Sequence, residues 1–243
     1  MAKPKRSAKS KAPAPPPLRR RVRRYVFRTV LAIMGFFAVL TVLVGVLNPP
    51  TTPYMFREGG RLGGVSHEWV DMEQIAPVMA RSAVAAEDAN FCLHWGLDVN
   101  AIRSAMAEGA SRGGSTISQQ VVKNVYLWQG RSWSRKALEA VWTPLTEAMW
   151  SKRRILELYL NMIEFDEGVF GVQAAARHYF GVDAADLTPV QAARLAAVLP
   201  NPKARSASDP TASLRRRASS IMDGAATIAA DGRADCFQDA TDS

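Results

Sequence analysis

Two acids stand side by side at Glu87 and Asp88, with Phe91 about one helical turn further on. A general base needs a carboxylate whose pKa is raised by burial or by a like-charged neighbour. Phe91 and Asp88 offer one of each. Beyond them, Gly113-Gly114-Ser115-Thr116 opens a polar run with Gln119, Gln120, Lys123 and Asn124, of which Gln120, Lys123 and Asn124 share one face of a helix. Glycines let backbone N–H groups approach a ligand, and a helix N-terminus favours anions. Arg131, Arg135 and Lys136 follow a Trp-containing turn. With Lys123 they carry the charge to neutralise a diphosphate, arginine being the better match to phosphate oxygens. Glu139 closes the stretch. Together, Glu87 to Glu139 describe a site where a carboxylate activates a hydroxyl and cations hold a diphosphate.

Taken singly, each signal has a blander reading. Two acids at a helix end are usually a solvated terminus, and Gly-Gly-Ser is usually a loop and a cap. The run is not a P-loop, because Lys123 lies nine residues past Gly114 and inside the helix. A polar face is also what a solvated helix presents, and the cations alone make a basic surface patch. Glu139 lies four residues after Arg135, a pairing worth roughly 0.2–0.5 kcal/mol. A lone His94 beside Trp95 is more often a packed residue with one hydrogen bond than a ligand or proton shuttle. His67 and His178 carry no pattern, so a histidine-based metal site is disfavoured. Cys92 and Cys236 are too few and too far apart for zinc. An oxidising compartment permits a disulfide between them, but two isolated thiols are the expectation.

The elements that must position these residues read as helices. Ile75, Val78, Met79, Ser82, Ala83 and Ala86 recur at helical spacing from Val70 onward, ending near Glu87. The helix dipole disfavours a carboxylate there, which points to a constraint other than helix stability. Asn100 to Ala110 is a second amphipathic stretch. Ser115 is the expected N-cap of a helix through Asn124. Ser134 is the expected cap of a helix with Leu138, Val141, Trp142, Leu145 and Met149 on its apolar side and Pro144 inside it, where a kink or a loosened turn is expected. Ser151 starts a helix with Ile155, Leu158, Tyr159 and Met162 facing inward. Phe170 to Phe180 is Ala-rich and stops at Gly181. Thr188-Pro189-Val190-Gln191 combines a cap, a first-turn proline and a capping box, and Pro200 ends that helix. Asp209-Pro210 starts the last one. No alternating strand pattern appears, so the expected fold class is mainly α.

Net charge is +9, but eleven Lys and Arg and no acid fall in residues 1–28, leaving 20 bases against 22 acids in the rest. The basicity belongs to a tail, and a nucleic-acid-binding domain is not supported. Residues 29–47 are free of charge and rich in Leu, Val, Ile, Phe and Ala. As a helix they span about 28 Å, close to a bilayer's hydrocarbon thickness. No small-residue cleavage site precedes Asn48-Pro49-Pro50, so a membrane-spanning helix is preferred to a signal peptide. The bases on its N-terminal side place the tail in the cytoplasm and the body outside. The expected boundaries are a disordered basic tail over 1–28, a membrane helix over 29–47, a linker over 48–64, a helical domain over 65–230 and a flexible tail over 231–243.

Order and spacing tie the weak signals together. Glu87-Asp88-x-x-Phe91-x-x-His94-x-Gly96, Gly113-Gly114-Ser115-Thr116-Ile117-x-Gln119-Gln120-x-x-Lys123-Asn124, Arg135-Lys136-x-x-Glu139 and Lys152-x-x-Ile155-Leu156-Glu157-x-Tyr159-Leu160-Asn161 follow in that order. In these runs the chain resembles the peptidoglycan glycosyltransferases, from about Pro49 to about Met222. No penicillin-binding transpeptidase domain follows, so the chain looks like the monofunctional, single-span version found in Gram-negative bacteria, and Glu164 to Val172 and Leu195 to Pro202 look like that subgroup too. Arg215 to Arg217 before Ile221 matches the last arginine motif only loosely and receives no site.

The resemblance implies a lysozyme-like helical domain that polymerises lipid II, with a glycan on undecaprenyl diphosphate as donor. It makes Glu87 the base and Glu139 a second catalytic acid. Asp88, Phe91, His94, Gly113, Gly114, Ser115, Thr116, Gln119, Gln120, Lys123, Asn124, Arg131, Arg135 and Lys136 become substrate-binding residues. Glu139 would hold a divalent cation, Mg or Mn, on the diphosphate or orient a cation. No organic cofactor is expected. The implied setting is the inner membrane, with other cell-wall synthases or division proteins as candidate partners. Two rivals remain: a muramidase or lytic transglycosylase, which needs no cation clamp, and a non-catalytic envelope scaffold, which needs neither Glu87 nor Glu139.

Overall fold

The structure is a computed structural model and describes residues 18–99, 103, 114–130 and 132–238. The tail before residue 18, most of the Asn100–Ala110 stretch, Gly113, Arg131 and residues 239–243 lie outside the described residues. The chain divides into two units, residues 1–43 and residues 44–243.

Helix α1 (Leu18–Val46) contains the charge-free run, with a mean hydropathy of 2.5 over its most apolar window. It begins eleven residues before the expected start and takes in the basic cluster Arg19–Arg24. Arginine is a good helix former, so propensity carries the helix back to Leu18. Leu31, Phe36, Val39 and Val42 are all exposed, leaving the helix apolar all round, as a membrane span is.

The expected linker contains a second helix, α2 (Pro53–Leu62). Thr52 accepts the Met55 N–H, Pro53 takes the first turn and Gly63 closes it at φ 80°. The prolines and glycines that read as breakers are a start and a stop signal. Met55 then packs with Met162 and Phe170.

The body is helical and built in two packed groups. Helices α3 (Pro77–Glu87), α8 (Pro189–Val198) and α9 (Ala212–Ala230) pack on one another, and α4 (Ile117–Tyr126) packs on α5 (Trp133–Met149) and α6 (Lys152–Met162). Helix α7 (Val172–Phe180) packs on a small mixed sheet of β1 (Ser66–His67), β2 (Glu164–Asp166) and β3 (Val169–Phe170). Its order is β1-β3-β2, with β1 parallel and β2 antiparallel to β3 and a bulge in β2. Strands of two or three residues are too short to show an alternation, so no sequence pattern announces them. Capping follows the expected chemistry at Ser151 and Thr188, where Gln191 completes the box. Elsewhere it shifts by one or two residues: Thr116, Ser132 and Thr211 cap α4, α5 and α9.

Helix α5 is amphipathic the wrong way round for a soluble body. It buries Glu139, Thr143, Thr146 and Glu147 and exposes Leu138, Val141, Leu145 and Met149. Pro144 does not end it, and Glu139 keeps its place one turn upstream.

Residues 231–238 fold back on α3. The Gln238 side chain donates to the Pro77 carbonyl, and Phe237 is buried. Cys92 and Cys236, expected as isolated thiols, form a disulfide with Cα atoms 5.7 Å apart. They are 144 residues apart in sequence, so only the fold brings them together.

Candidate functional site

Glu87 is the last residue of α3 and is mostly buried. One oxygen accepts a 2.8 Å hydrogen bond from Gln120 Nε2, and the other lies 4.0 Å from the Arg217 guanidinium. Burial pushes its pKa up, and Asp88 adds to that; Gln120, Arg217 and Lys123 pull against it. This is the environment a general base requires.

Asp88 next door does something else. Its carboxylate is 2.8 Å from His94 Nε2 and accepts the Ile117 N–H, the first of α4, at 3.0 Å. A buried acid at a helix start is favourable. Asp88 thereby fixes α4 against the end of α3. Phe91 is fully buried, and Lys152 sits 4.4 Å over its ring while also donating to the His94 carbonyl. Asp88, Phe91 and His94, expected to touch substrate, are placed as internal braces.

The start of α4 is likewise consumed by the fold. Thr116 Oγ1 donates to the Gly96 carbonyl at 2.6 Å and accepts the Gln119 N–H, while Gln119 returns a bond to the Thr116 N–H. The Ile117 N–H on Asp88 and the Gln119 N–H on Thr116 satisfy two donors of this helix N-terminus internally. Gly96 is needed here: at φ 74°, a Cβ on it would lie 2.5 Å from Thr143 Cγ2. Ser115, the expected cap, accepts from Lys136 Nζ at 2.8 Å instead. Gly114 precedes it, partly exposed.

The outward face of α4 carries Gln120, Lys123 and Asn124. They border a cavity of about 290 Å³ shared with Tyr54, Gln129, Glu164, Asn201 and Lys203. Asn124 is held by Gln129 at 3.0 Å. Among the described residues, the Lys123 ammonium forms no hydrogen bond or ion pair. Burial lowers its pKa, helped by Arg135 and opposed by Glu87. The Lys136 pKa is also lowered, by burial and then by Arg135 and Lys123. Arg135 and Lys136 border a second cavity of about 350 Å³ with Ser132 and Trp133. These three cations feel one another's charge, a group that an anion would relieve.

Glu139 is buried beneath them. One oxygen pairs with Arg135 and the other accepts from Lys136 Nζ at 2.9 Å. With both oxygens facing cations, its surroundings suit orienting Arg135 and Lys136 rather than ligating a divalent metal. Among the described residues no group of three or more His, Cys, Asp or Glu has metal-binding spacing.

The family-like run Lys152 to Asn161 carries no role in the sequence. In the structure Asn161 is fully buried, accepts the Val70 N–H and donates to the Val70 and Glu157 carbonyls, so this run is scaffold. Arg217 lies in a motif that fits only loosely, yet it is the cation beside Glu87. Tyr54 and Lys203 carry no sequence signal; they meet through Glu164, which accepts the Tyr54 hydroxyl at 2.6 Å and lies 3.4 Å from Lys203 Nζ.

The sequence model of the family described as Transglycosylase matches residues 57–226. The chain belongs to the transglycosylase family. The match takes in α3 through most of α9, and so every residue of the site above except Tyr54. The chain is 58% identical, over 98% of its length and 99% of the relative's, to a biosynthetic peptidoglycan transglycosylase of Jannaschia sp. (strain CCS1). It is 43% identical to one from Caulobacter vibrioides, covering 90% of this chain and 97% of that one. Against one from Pseudomonas fluorescens the identity is 44%, covering 86% and 93%. This transglycosylase is therefore a glycosyltransferase, and its family motifs divide between a polar face carrying Glu87, Gln120 and Lys123 and the packing that holds it.

Proposed function

We propose that this transglycosylase builds peptidoglycan glycan strands by polymerising lipid II, with a strand on undecaprenyl diphosphate as donor. Glu87 takes the proton from the 4-hydroxyl of the acceptor's N-acetylglucosamine. That oxygen attacks the anomeric carbon of the donor's N-acetylmuramic acid from the face opposite the diphosphate, so an α-linked donor gives a β-1,4 bond and undecaprenyl diphosphate leaves. Lys123, Arg131, Arg135 and Lys136 stabilise the charge that grows on the leaving diphosphate. Glu139 keeps Arg135 and Lys136 in place. Gln120 holds Glu87 in register with that cation group, and Arg217 moderates its charge.

The observation that carries this reading is a mostly buried Glu87 held by Gln120, which borders the same cavity as Lys123, a partly buried cation whose charge acts on Glu87. A hydrolase of finished glycan has a neutral leaving group and no use for the cations. We place the reaction on the outer face of the inner membrane, with α1 spanning it and the basic tail in the cytoplasm. The reversed amphipathicity of α5 supports contact with lipid. Trp133, 91% exposed, and the exposed Val141 and Leu145 suit the interfacial layer, where apolar and aromatic side chains are favoured.

Purified full-length protein given lipid II alone should yield polymer and undecaprenyl diphosphate. Glu87→Gln should lower turnover by about 10²- to 10⁴-fold, the usual contribution of a general base. Digestion of finished sacculi, or full turnover by the variant, would refute the assignment.

A further inference from the structure

The turn that follows Glu87 has little regular structure of its own. Residues 88–94 hold only the three-residue 3₁₀ turn Phe91–Leu93, yet Asp88 and His94 lie within them and Asp88 fixes the start of α4. Much of the support comes from the far end of the chain. Phe237 packs on Phe91, ring centroids 6.3 Å apart. The Arg233 guanidinium donates to the Ala89 carbonyl at 3.0 Å. The same segment grips the opposite end of α3: Gln238 donates to the Pro77 carbonyl and accepts from Arg81, each at 2.9 Å. Arg153 of α6 donates to the Phe237 carbonyl at 3.0 Å. The segment thus braces α3 at both ends, and its covalent fastening is the Cys92–Cys236 disulfide, set within the turn itself.

We propose that Cys92 and Cys236 are a positioning pair for the transfer reaction, and that full turnover requires their disulfide. Hydrogen bonds and one ring contact hold the brace only while segment 231–238 stays docked. The disulfide keeps it docked, because separating the two surfaces would then mean stretching the turn. Loss of the bond frees the turn, and with it the Asp88 link that sets α4, which carries Gln120 and Lys123, against Glu87. Both cysteines are half-buried, within reach of a small thiol. Forming the bond removes two electrons and two protons from the thiols. The disulfide of an exported thiol–disulfide oxidoreductase takes them up through a mixed disulfide, and a dithiol such as dithiothreitol reverses the step.

The turnover arm of the test rests on the proposed function; the structural arm does not. Full-length protein in lipid vesicles, isolated without reductant, is compared before and after dithiothreitol. Thiol alkylation read by mass should find no free thiol before and two after. Amide hydrogen exchange over residues 88–94 should quicken by about tenfold or more on reduction, as local opening becomes easier. With lipid II as substrate, kcat should fall by about 10- to 100-fold, the scale of a misplacement of ~1 Å at a reacting group, with KM changed much less. The Cys92→Ser/Cys236→Ser protein should match the reduced enzyme and ignore dithiothreitol. If it does not accumulate, the reduced wild type carries the test alone. Free thiols in the untreated protein, unchanged exchange, or looser exchange with unchanged kcat would each overturn the proposal. Oxidised protein that makes no polymer would instead count against the proposed function, leaving exchange to judge the brace.

Discussion

Replacing Glu87 by Gln removes a charge that the fold has to desolvate. Because burial raises the Glu87 pKa, the folded state holds its proton more tightly than the unfolded chain does. Its contribution to stability is complete below the ordinary carboxylate range and is lost as pH rises through the raised value. Glu87→Gln should therefore raise the thermal midpoint by a few degrees at neutral pH, and the gain should vanish in acid. Equal midpoints for the two proteins at neutral pH would show that the carboxylate costs the fold nothing. Activity should respond in the opposite sense. As the proposed base, Glu87 works only when ionised, so kcat/KM should fall as pH drops through a value above the ordinary carboxylate range. The Lys123 pKa is lowered, so the alkaline limb should begin below the ordinary lysine range. A pH–rate profile with both limbs at the unperturbed values would count against Glu87 and Lys123 as the working pair.

Helix α5 shows what a sequence says and what it leaves unsaid. Its apolar residues are legible, but hydrophobic periodicity marks the buried side only where water covers the rest of the body. In this fold the side facing the protein is the polar one, because Glu147 has partners there: it accepts from Ser118 of α4 and Lys152 of α6. In protein lacking residues 1–47, Val141→Glu and Leu145→Glu together should weaken vesicle binding by about tenfold or more and raise KM for bilayer-embedded lipid II, while leaving the thermal midpoint nearly unchanged. A drop in midpoint with unaltered vesicle binding would mean that this face is covered by protein. Starts and stops written in local chemistry are readable, as at Ser151, Thr188 and Gly181. What stays hidden is long-range: the Cys92–Cys236 bond, Arg217 beside Glu87, and the partners of Asn161. Asn161→Ala strands the Val70 N–H and carbonyl, so chemical denaturation should show a loss of about 2–3 kcal/mol.

At the scale of the whole chain, the proposed function gives the candidate membrane span and the site one substrate in common. A donor and an acceptor that both carry long isoprenoid chains are confined to a layer, and an enzyme held to that layer meets them at a raised effective concentration without any new contact. On that proposal, the apolar helix Leu18–Val46 and the exposed apolar face of α5 are the two elements that would hold it there. Because neither touches the reacting atoms, deleting residues 1–47 should act on encounter rather than on chemistry. With a short-chain, water-soluble lipid II analogue, the truncated and full-length enzymes should turn over alike. In vesicles containing full-length lipid II, the truncated enzyme should need roughly 100-fold more protein for the same rate, the low end of the range by which tethering exceeds a single weak contact. Adding the α5 glutamates to the truncation should remove most of the remaining vesicle activity and still spare the soluble reaction. Equal loss on both substrates would show instead that the deleted segment holds the catalytic face in shape.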